Sequence, residues 1–420
     1  MTAAGTSLAD PPYRVYLVGG AVRDALLGRE PAERDWVVVG GTPKQLLDAG
    51  YRQVGADFPV FLHPETGEEY ALARKERKRG HGYHGFAVDF DPGVTLEEDL
   101  QRRDLTINAM ARDDGGRLID PCGGARDLER RVLRHVSPAF REDPLRILRV
   151  ARFAARFAGL GFRVHPATAE LMTAMTASGE LAHLAPERVW AEIAGAMGEP
   201  TPSAFVTVLR DCGALAALLP EVDELFGIPQ PARYHPEIDT GRHVLLALDE
   251  AARRARGARV VFALLLHDLG KALTPRGEWP SHVRHEARGV PRVREVCDRL
   301  RAPTTWRELA LRVTALHLRC HRALEMKPGS VLGLLEEGDF LRRPEELEPF
   351  LQACEADYCG REGLRDRPYP QAERLRAALA AALAVRARDL DTAGLEGPEI
   401  GAQLRRARID AIAGSAGPAN

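Results

Sequence analysis

Two carboxylates just before a strand-like run are the first residues whose spacing suggests chemistry. Glu33 and Asp35 are separated by one residue and lead into the β-branched segment 36–39. In an extended chain residues i and i+2 project to the same face, so the two carboxylates would point together. Hard divalent cations such as Mg²⁺ prefer such oxygen ligands, and a metal held there could assist phosphoryl transfer. We predict a catalytic magnesium site at Glu33 and Asp35. Glu69, in the strand-like segment 68–74, is a candidate third carboxylate, with the acidic end of a surface strand as the alternative.

A glycine pair precedes these carboxylates and suggests a place for phosphate. Gly19 and Gly20 end an apolar run and are followed closely by Arg23. Without Cβ atoms the turn lets backbone amides approach a phosphate, and the start of a following helix favours an anion. The elements that would position these residues are a strand over 15–18, a helix over 21–27 that stops at Gly28, and a strand over 36–39.

Two arginine-rich segments suggest contacts to an anionic ligand. In the segment 99–109, Arg102 or Arg103 could clamp phosphate with Asp104 orienting the guanidinium, although ion pairing on a helix surface is the alternative. In the segment 142–156, the arginines recur at steps of three, three and four and so share one helix face. A nucleotide or an RNA backbone opposite them would relieve their repulsion, whereas a solvated basic stripe is the alternative. The members of this set are Arg146, Arg149, Arg152 and Arg156.

Asp143 precedes this arginine-rich helix and has two interpretations. It is followed by a proline, and Asp before Pro commonly begins a helix with the carboxylate as N-cap. It could also accept hydrogen bonds from a nucleotide base. Both roles are compatible.

Histidines and one His-Asp pair suggest a second metal centre. His267 and Asp268 end the apolar segment 260–266, and His243 lies upstream. Imidazoles together with a carboxylate bind one or two transition metals, which activate water against a phosphoester. Further candidate ligands downstream are His282, His285 and His317. The pattern matches the HD phosphohydrolases, although the Asp that usually completes that ligand set has no clear candidate near His317.

Composition limits the classes of protein that fit. The 420 residues carry 58 Lys and Arg against 60 Asp and Glu, so the net charge of −2 excludes a simple polycation and any nucleic-acid surface must be local. The six cysteines form no CxxC pair, which argues against a disulfide framework or a zinc ribbon. No apolar run is long enough to span a membrane, so we expect a cytoplasmic protein with no membrane partner.

Four motifs in order resemble the bacterial CCA-adding enzymes, the class II tRNA nucleotidyltransferases, in the long form that carries an HD domain. The motifs are Gly19-Gly20-Ala21-Val22-Arg23-Asp24, Arg34-Asp35-Trp36, Arg102-Arg103-Asp104-Leu105-Thr106 and Glu142-Asp143-Pro144-Leu145-Arg146. The resemblance implies an α+β protein, in which an N-terminal α/β nucleotidyltransferase head of the polymerase-beta type precedes helical domains. We expect the head over 1–136, a helical neck and body over 137–239, an HD domain over 240–341 and a helical tail over 342–420.

The resemblance also implies an activity and a set of site residues. The activity is template-independent addition and repair of the CCA end of tRNA from CTP and ATP, by a monomer or homodimer. The HD domain would add cyclic phosphodiesterase, 2′-nucleotidase and phosphatase activities, often with nickel. Magnesium would lie at Glu33 and Asp35. The nucleotide would contact Gly20, Arg23, Arg103, Asp143, Arg146, Arg149 and Arg152.

One departure from the family pattern leaves alternatives open. The family usually has two aspartates at the metal pair, whereas this chain has Glu33 and Asp35. Glutamate keeps the charge, so we predict that Glu33 still binds magnesium. The alternatives are a bacterial poly(A) polymerase, an enzyme that adds only part of CCA, and an HD phosphohydrolase whose head only binds RNA.

Overall fold

The computed structural model describes residues 13–31, 33–54, 60–78, 86–89, 91–391 and 395–415. They form two compact units. The first contains the described residues up to Ala185 together with Asp211–Ala214, and the second contains Pro186–Arg210 and the described residues from Leu215 onward. The fold is α+β, with a mixed sheet near the N-terminus and helices through the rest, as the sequence predicted.

The strands belong to the first unit. They are β1 (Arg14–Val18), β2 (Asp35–Val39), β3 (Arg52–Val54), β4 (Val60–Leu62), β5 (Glu69–Leu72), β6 (Lys75–Lys78), β7 (Phe86–Asp89), β8 (Ala111–Arg112), β9 (Leu118–Ile119), β10 (Val132–Leu133) and β11 (Arg163–Val164). Within the described residues, seven of them form one sheet in the order β3-β4-β5-β2-β1-β8-β9, while β6–β7 and β10–β11 form separate pairs. The predicted strands over 15–18 and 36–39 are confirmed as β1 and β2.

The helices of the first unit begin and end at identifiable signals. They are α1 (Gly20–Leu26), α2 (Pro43–Asp48), α3 (Leu96–Gln101), α4 (Gly124–Glu129), α5 (Leu145–Phe157) and α6 (Pro166–Ala177). Gly28, at φ +69°, follows the end of α1, in a conformation that glycine adopts without strain. A capping box begins α3, where Thr95 and Glu98 each bond the other's backbone N–H.

The central strands alternate between two apolar layers. Val37 packs with Val18 and Leu100 on one face, while its neighbour Val38 packs with Phe61 on the other. This period of two is that of a strand buried on both sides. Apolar packing on both faces therefore stabilises the sheet, and residues at the ends of its strands are held in defined positions.

From Pro186 onward the described regular elements are helical. They are α7 (Pro186–Met197), α8 (Pro202–Asp211), α9 (Ala214–Leu218), α10 (Pro220–Asp223), α11 (Thr240–Arg253), α12 (Ala258–Leu266), α13 (His285–Arg299), α14 (Thr304–His321), α15 (Pro328–Glu337), α16 (Leu347–Cys359), α17 (Pro370–Ala384) and α18 (Gly397–Ser415). Helix α12 is buried from Val260 to Leu266 and packs against α7, α11, α14 and α16. Because α12 is surrounded by helices, the residues that follow its end lie in the interior. No helix among the described residues has the length and apolar character needed to cross a membrane.

Candidate active sites

The sheet places two of the three predicted metal-binding carboxylates side by side. Asp35, the first residue of β2, is paired in parallel register with Glu69, the first residue of β5. Register partners on neighbouring strands lie about 5 Å apart. Glu33 lies two residues before Asp35, and all three side chains are exposed. The first residues of β2 and β5 thus place Asp35 beside Glu69, and a shared magnesium site with Glu33 stays a prediction.

One positive and one negative side chain, Arg103 and Glu33, change the pKa of Asp35. Desolvation raises the pKa of Asp35, the positive charge of Arg103 lowers it, and the negative charge of Glu33 raises it, with a net increase. Repulsion between Glu33 and Asp35 is relieved when a divalent cation binds between them. The donor set therefore fits Mg²⁺, which binds oxygen ligands from a few carboxylates.

The glycine turn brings Arg103 toward this strand end. Gly19 has φ +68°, and its N–H donates to the carbonyl of Met110 at 3.1 Å. A Cβ added to Gly19 would lie 3.0 Å from Arg103 Nη1. The absence of a side chain at Gly19 therefore lets this guanidinium lie against the turn.

Asp99, rather than Asp104, orients the paired arginines. Arg102 Nη2 donates to Asp99 Oδ1 at 2.9 Å, and Arg103 Nη2 donates to Asp99 Oδ2 at 3.2 Å. Burial alone would raise the pKa of Asp99, but the two guanidinium groups outweigh it and lower the pKa. The sequence analysis offered Asp104 for this orienting role, with ion pairing along a helix as the alternative, and the hydrogen bonds to Asp99 agree with the alternative. The signal for Asp99 was present, since it lies three and four residues before these arginines on a helix.

Asp104 instead holds Arg149 of α5. Arg149 Nε donates to Asp104 Oδ2 at 2.7 Å, while Asp104 Oδ1 accepts from Leu105 N at 2.7 Å and from Asn108 Nδ2 at 3.1 Å. The carboxylate is buried, and burial alone would raise its pKa. The charge of Arg149 and these hydrogen bonds lower the pKa overall, so Asp104 is ionised at neutral pH.

Arg23 occupies an interior position. Its guanidinium donates to both oxygens of Asp24, at 2.9 and 3.0 Å, and to Asn108 Oδ1 at 2.6 Å. It also lies 5.4 and 5.1 Å from the ring centres of Phe153 and Phe157. Asn108 thus contacts Arg23 through its oxygen and Asp104 through its nitrogen. A contact between Arg23 and a nucleotide stays a prediction.

The remaining arginines of α5 do not form one uniform basic face. Arg146 is buried and donates to the backbone carbonyls of Ala139 and Arg102, at 3.0 and 2.7 Å. Arg152 is half-buried further along α5. Asp143 Oδ1 accepts from Leu145 N, the first residue of α5, at 3.1 Å, although Pro144 rather than Asp143 occupies the N-cap position that the sequence analysis predicted for Asp143. The base-reading roles of Asp143, Arg146, Arg149 and Arg152 stay predictions.

In the second unit, residues from four helices and one helix end form a buried cluster of metal-ligand atoms. His243 lies on α11, His285 on α13, His317 on α14 and Asp357 on α16, while His267 and Asp268 follow the end of α12. Among the described residues, four groups each have ligand atoms within 4.8 Å of one another. The groups are His243 with His267 and Asp268, Asp268 with His285 and His317, His267 with His317 and Asp357, and His243 with His235 and Glu237, two residues that the sequence analysis did not single out.

Backbone carbonyls orient three of these imidazoles. The Nδ1 atoms of His267, His285 and His317 lie 2.7, 3.0 and 3.0 Å from the carbonyls of Leu264, His282 and Val313, respectively. A carbonyl can only accept, so Nδ1 carries a proton, and each ring in its neutral form has its lone pair on Nε2, where a metal can bind. The fold thus selects the tautomer that a metal ligand needs.

Three buried atoms of the cluster make no regular hydrogen bond among the described residues. His243 Nδ1 lies 2.9 Å from Glu237 Oε1, while His285 Nε2 and Asp268 Oδ1 lie 3.4 Å apart and form an ion pair when the imidazole is protonated. Buried polar atoms are almost always satisfied, so such a pair indicates a site for an ion. Burial alone would raise the pKa of Asp268, but His267 and Lys271 outweigh it and hold the pKa well below its usual range. Ionised carboxylates and imidazole nitrogens suit a divalent transition metal.

Asp357 is the ligand that the sequence analysis did not find. Its Oδ1 lies 2.9 Å from His243 Nε2, and its Oδ2 lies 2.7 Å from His321 Nε2. Spacing could not reveal it, because Asp357 lies on a helix separated from α14 by a further helix. The structure therefore supplies the carboxylate that completes the HD ligand pattern.

His282 lies beside the cluster with both ring nitrogens engaged elsewhere. Its Nδ1 lies 2.6 Å from Thr274 Oγ1 and its Nε2 lies 2.8 Å from the carbonyl of Pro229. The structure therefore does not bring His282 into the ligand groups with His285 and His317. It serves instead to tie two loops together near the cluster.

Three family models match parts of this chain. The Poly A polymerase head domain matches residues 15–134, the probable RNA- and SrmB-binding site of polymerase A matches residues 161–226, and the HD domain matches residues 240–383. The HD match includes Asp357, beyond the boundary at residue 341 that the sequence analysis predicted.

Similar proteins extend over nearly the whole chain. The Multifunctional CCA protein of Thioalkalivibrio sulfidiphilus is 62% identical over 95% of this chain and 98% of its own length. That of Pseudomonas aeruginosa is 58% identical over 95% and 97%. A crystal structure of the Bacillus stearothermophilus CCA-adding enzyme in complex with CTP is 26% identical, with a TM-score of 0.65, over 96% of this chain and 89% of that chain.

The fold and the matched regions define a polymerase-type nucleotidyltransferase head joined to an HD domain. With relatives more than half identical along nearly its full length, the chain belongs to the multifunctional CCA protein family.

Proposed function

We propose that this protein adds the terminal CCA to tRNA from CTP and ATP without a nucleic-acid template, and that its HD domain hydrolyses phosphoesters. The observation that carries the first activity is the pairing of Asp35 with Glu69 at one sheet end, with Arg103 held beside the glycine turn. Relatives named for CCA addition support the choice of reaction.

In the proposed reaction the 3′-hydroxyl of tRNA attacks the α-phosphorus of CTP or ATP, and pyrophosphate leaves. Glu33 and Asp35, with Glu69 beside them, would hold Mg²⁺. The metal would lower the pKa of the attacking hydroxyl and neutralise charge on the leaving group. Arg103, fixed by Asp99, would bind the triphosphate through a planar guanidinium that matches phosphate geometry.

Base selection would depend on the segment that begins α5. Asp143 offers an acceptor and Arg149 offers donors, which together can match the Watson–Crick edges of C and A. Asp104 fixes Arg149 Nε and thereby limits the directions in which the remaining guanidinium atoms can point. Selection without a template requires such a fixed donor pattern.

The second activity rests on the buried cluster, in which His285 Nε2 and Asp268 Oδ1 face each other at 3.4 Å without a regular hydrogen bond. A transition metal such as Ni²⁺ bound there would supply an activated water for attack on a phosphoester. The ligands would be His243, His267, Asp268, His285, His317 and Asp357. Cyclic 2′,3′-phosphates and 2′-nucleotides are the substrate classes that we propose.

A primer-extension experiment tests the first activity. Purified protein, Mg²⁺ and a tRNA transcript lacking its last three nucleotides are incubated with each nucleoside triphosphate alone and in pairs. Two additions with CTP and a third only with ATP would support CCA addition. Long A tails would favour a poly(A) polymerase, and termination after CC would favour a partial enzyme. If no nucleotide is added but 2′,3′-cyclic substrates are hydrolysed, the protein is an HD phosphohydrolase whose head only binds RNA.

A further inference from the structure

A buried arginine beside the HD cluster has no role in the activities described so far. Arg361 follows the end of α16, and only 10% of its side chain is exposed. Its Nη2 lies 3.7 Å from Asp357 Oδ1, which is too long for a hydrogen bond. The guanidinium therefore adds a positive charge to the cluster without being locked to the carboxylate.

The hydrogen-bond donors of Arg361 are poorly used. Its Nε has no partner among the described residues, and its Nη1 makes a long hydrogen bond of 3.4 Å to the carbonyl of Tyr234. A guanidinium carries five N–H donors, and buried donors are normally satisfied. Such a group, buried and cationic, is suited to receive an anion with several oxygen acceptors.

The position of Arg361 relative to the metal ligands identifies where that anion would lie. Asp357 Oδ1, the atom nearest to the guanidinium, also lies 2.9 Å from His243 Nε2 and 3.8 Å from His267 Nε2. These three ligand atoms face the same region. A phosphoester bound next to the ligands would bring its non-bridging oxygens within reach of Arg361.

The other buried cation of this site is already engaged. Lys271 Nζ donates to Asp268 Oδ2 at 2.7 Å and also to Gln230 Oε1. It therefore helps to hold a metal ligand in its ionised form. Lys271 has one of its three N–H donors left, whereas Arg361 uses, among the described residues, only one of its five donors, in a long hydrogen bond, and so has more to offer a substrate.

We propose that Arg361 binds the phosphate group of the phosphoester at the HD cluster. This inference rests on the proposed phosphohydrolase activity, although binding of phosphate can be measured without turnover. The rival explanation is that Arg361 only positions Asp357. That explanation predicts a loss of metal when Arg361 is replaced, whereas a phosphate-binding role does not.

The test measures phosphate and metal binding separately in the full-length protein. Variants R361Q and R361K are loaded with Ni²⁺, metal content is measured by mass spectrometry, and inorganic phosphate is titrated by calorimetry. D268A, which lacks a central metal ligand but keeps Arg361, shows how much of the phosphate binding depends on the bound metal. R365Q is the matched control, because Arg365 lies four residues away, is exposed and pairs with Glu250.

We expect R361Q to keep its nickel while its Kd for phosphate rises about tenfold or more, the effect of losing a charge-assisted hydrogen bond. R361K keeps the charge but loses the planar fork, so its Kd should rise by a smaller factor. R365Q should match the wild type. If R361Q does not fold, a higher phosphate Kd for R361K than for R365Q still supports the proposal, and equal Kd values contradict it.

Three outcomes would overturn the proposal. They are an unchanged phosphate Kd in the folded Arg361 variants, a loss of nickel that parallels the loss of phosphate, and a nickel-loaded wild-type protein that binds no phosphate. If the wild type binds phosphate through Arg361 but hydrolyses no phosphoester, the phosphohydrolase assignment fails while the phosphate site stands.

Discussion

Replacing Asp104 by asparagine should reduce both the stability of the first unit and the accuracy of nucleotide choice. The substitution keeps the shape of the side chain but removes its charge. Asp104 accepts hydrogen bonds from Leu105 N, Asn108 Nδ2 and Arg149 Nε. An asparagine has one oxygen and one NH₂ group, so in either orientation a donor faces a donor inside the protein.

The size of the effect follows from these contacts. A hydrogen bond to a charged group contributes about 1.5–3 kcal/mol, and a buried donor left without a partner costs about 1–3 kcal/mol. The two effects overlap, so we expect Asp104→Asn to lower the free energy of unfolding by about 2–4 kcal/mol. Arg149 would also lose its anchor, and discrimination between bases would fall by about 1–3 kcal/mol, or roughly 5- to 150-fold.

Two assays check this prediction. Urea unfolding measures stability, and single-nucleotide extension measures the ratio of kcat/KM for CTP to that for UTP. Asp113→Asn is the control, because Asp113 pairs with the exposed Arg117 and such a pair contributes only about 0–1 kcal/mol. If Asp104→Asn resembles this control in both assays, the buried contact of Arg149 has neither the structural nor the selective role argued above.

The same carboxylate predicts a dependence of stability on pH. The pKa of Asp104 is lowered in the folded protein from an ordinary value of 3.8. Its contribution to stability is therefore present above about pH 4 and is lost as the pH falls through the folded-state pKa. Acid unfolding curves of the wild type and of Asp104→Asn should converge at low pH. Curves that stay parallel down to the acid transition would contradict the assignment.

Three further predictions concern other parts of the two sites. Asp35→Ala and Glu33→Ala should both abolish nucleotide addition, whereas Glu33→Asp should retain it; full activity of Glu33→Ala would show that this residue binds no metal. Asp357→Asn should lower the nickel content and phosphoester hydrolysis while leaving CCA addition intact, and a normal metal content would exclude Asp357 as a ligand. Gly19→Ala should lower the free energy of unfolding by about 1–3 kcal/mol, because Gly19 has φ 68° and ψ −126°, and should raise KM for CTP and ATP alike by displacing Arg103; a thermal melt and steady-state kinetics would measure the two effects.

Local patterns predicted the parts of the first site that depend on neighbouring residues. The strand, glycine turn, helix and strand from Arg14 to Val39 follow from apolar periodicity and from glycine at positive φ. The pairing of Asp99 with the two arginines was also accessible, since it follows helical spacing. The bond from Arg149 to Asp104 was not, because it joins α5 to a loop that precedes it by many residues.

At the second site, too, contacts between residues far apart in the sequence could not be predicted. The His-Asp pair after an apolar helix predicted a metal centre, and the structure confirms that His243, His285 and His317 lie beside it. Asp357 lies in a segment with no recognisable local pattern, and only the packing of α16 against α11 and α14 brings it to the cluster. On α5, the arginine spacing predicted a shared basic face. In the structure, however, Arg146 donates to two backbone carbonyls in the interior.

The two sites suggest how structural carboxylates differ from ligand carboxylates in this protein. Asp99 and Asp104 are buried, and each of their oxygens accepts from a named donor, so their charge serves to fix arginines. Asp268 is equally buried, but its Oδ1 has no hydrogen-bond partner among the described residues and lies close to two histidines. A buried ionised oxygen without a donor is costly unless a cation binds there. Removing the metal should therefore destabilise the second unit, whereas the arrangement around Asp99 and Asp104 needs no metal to be complete.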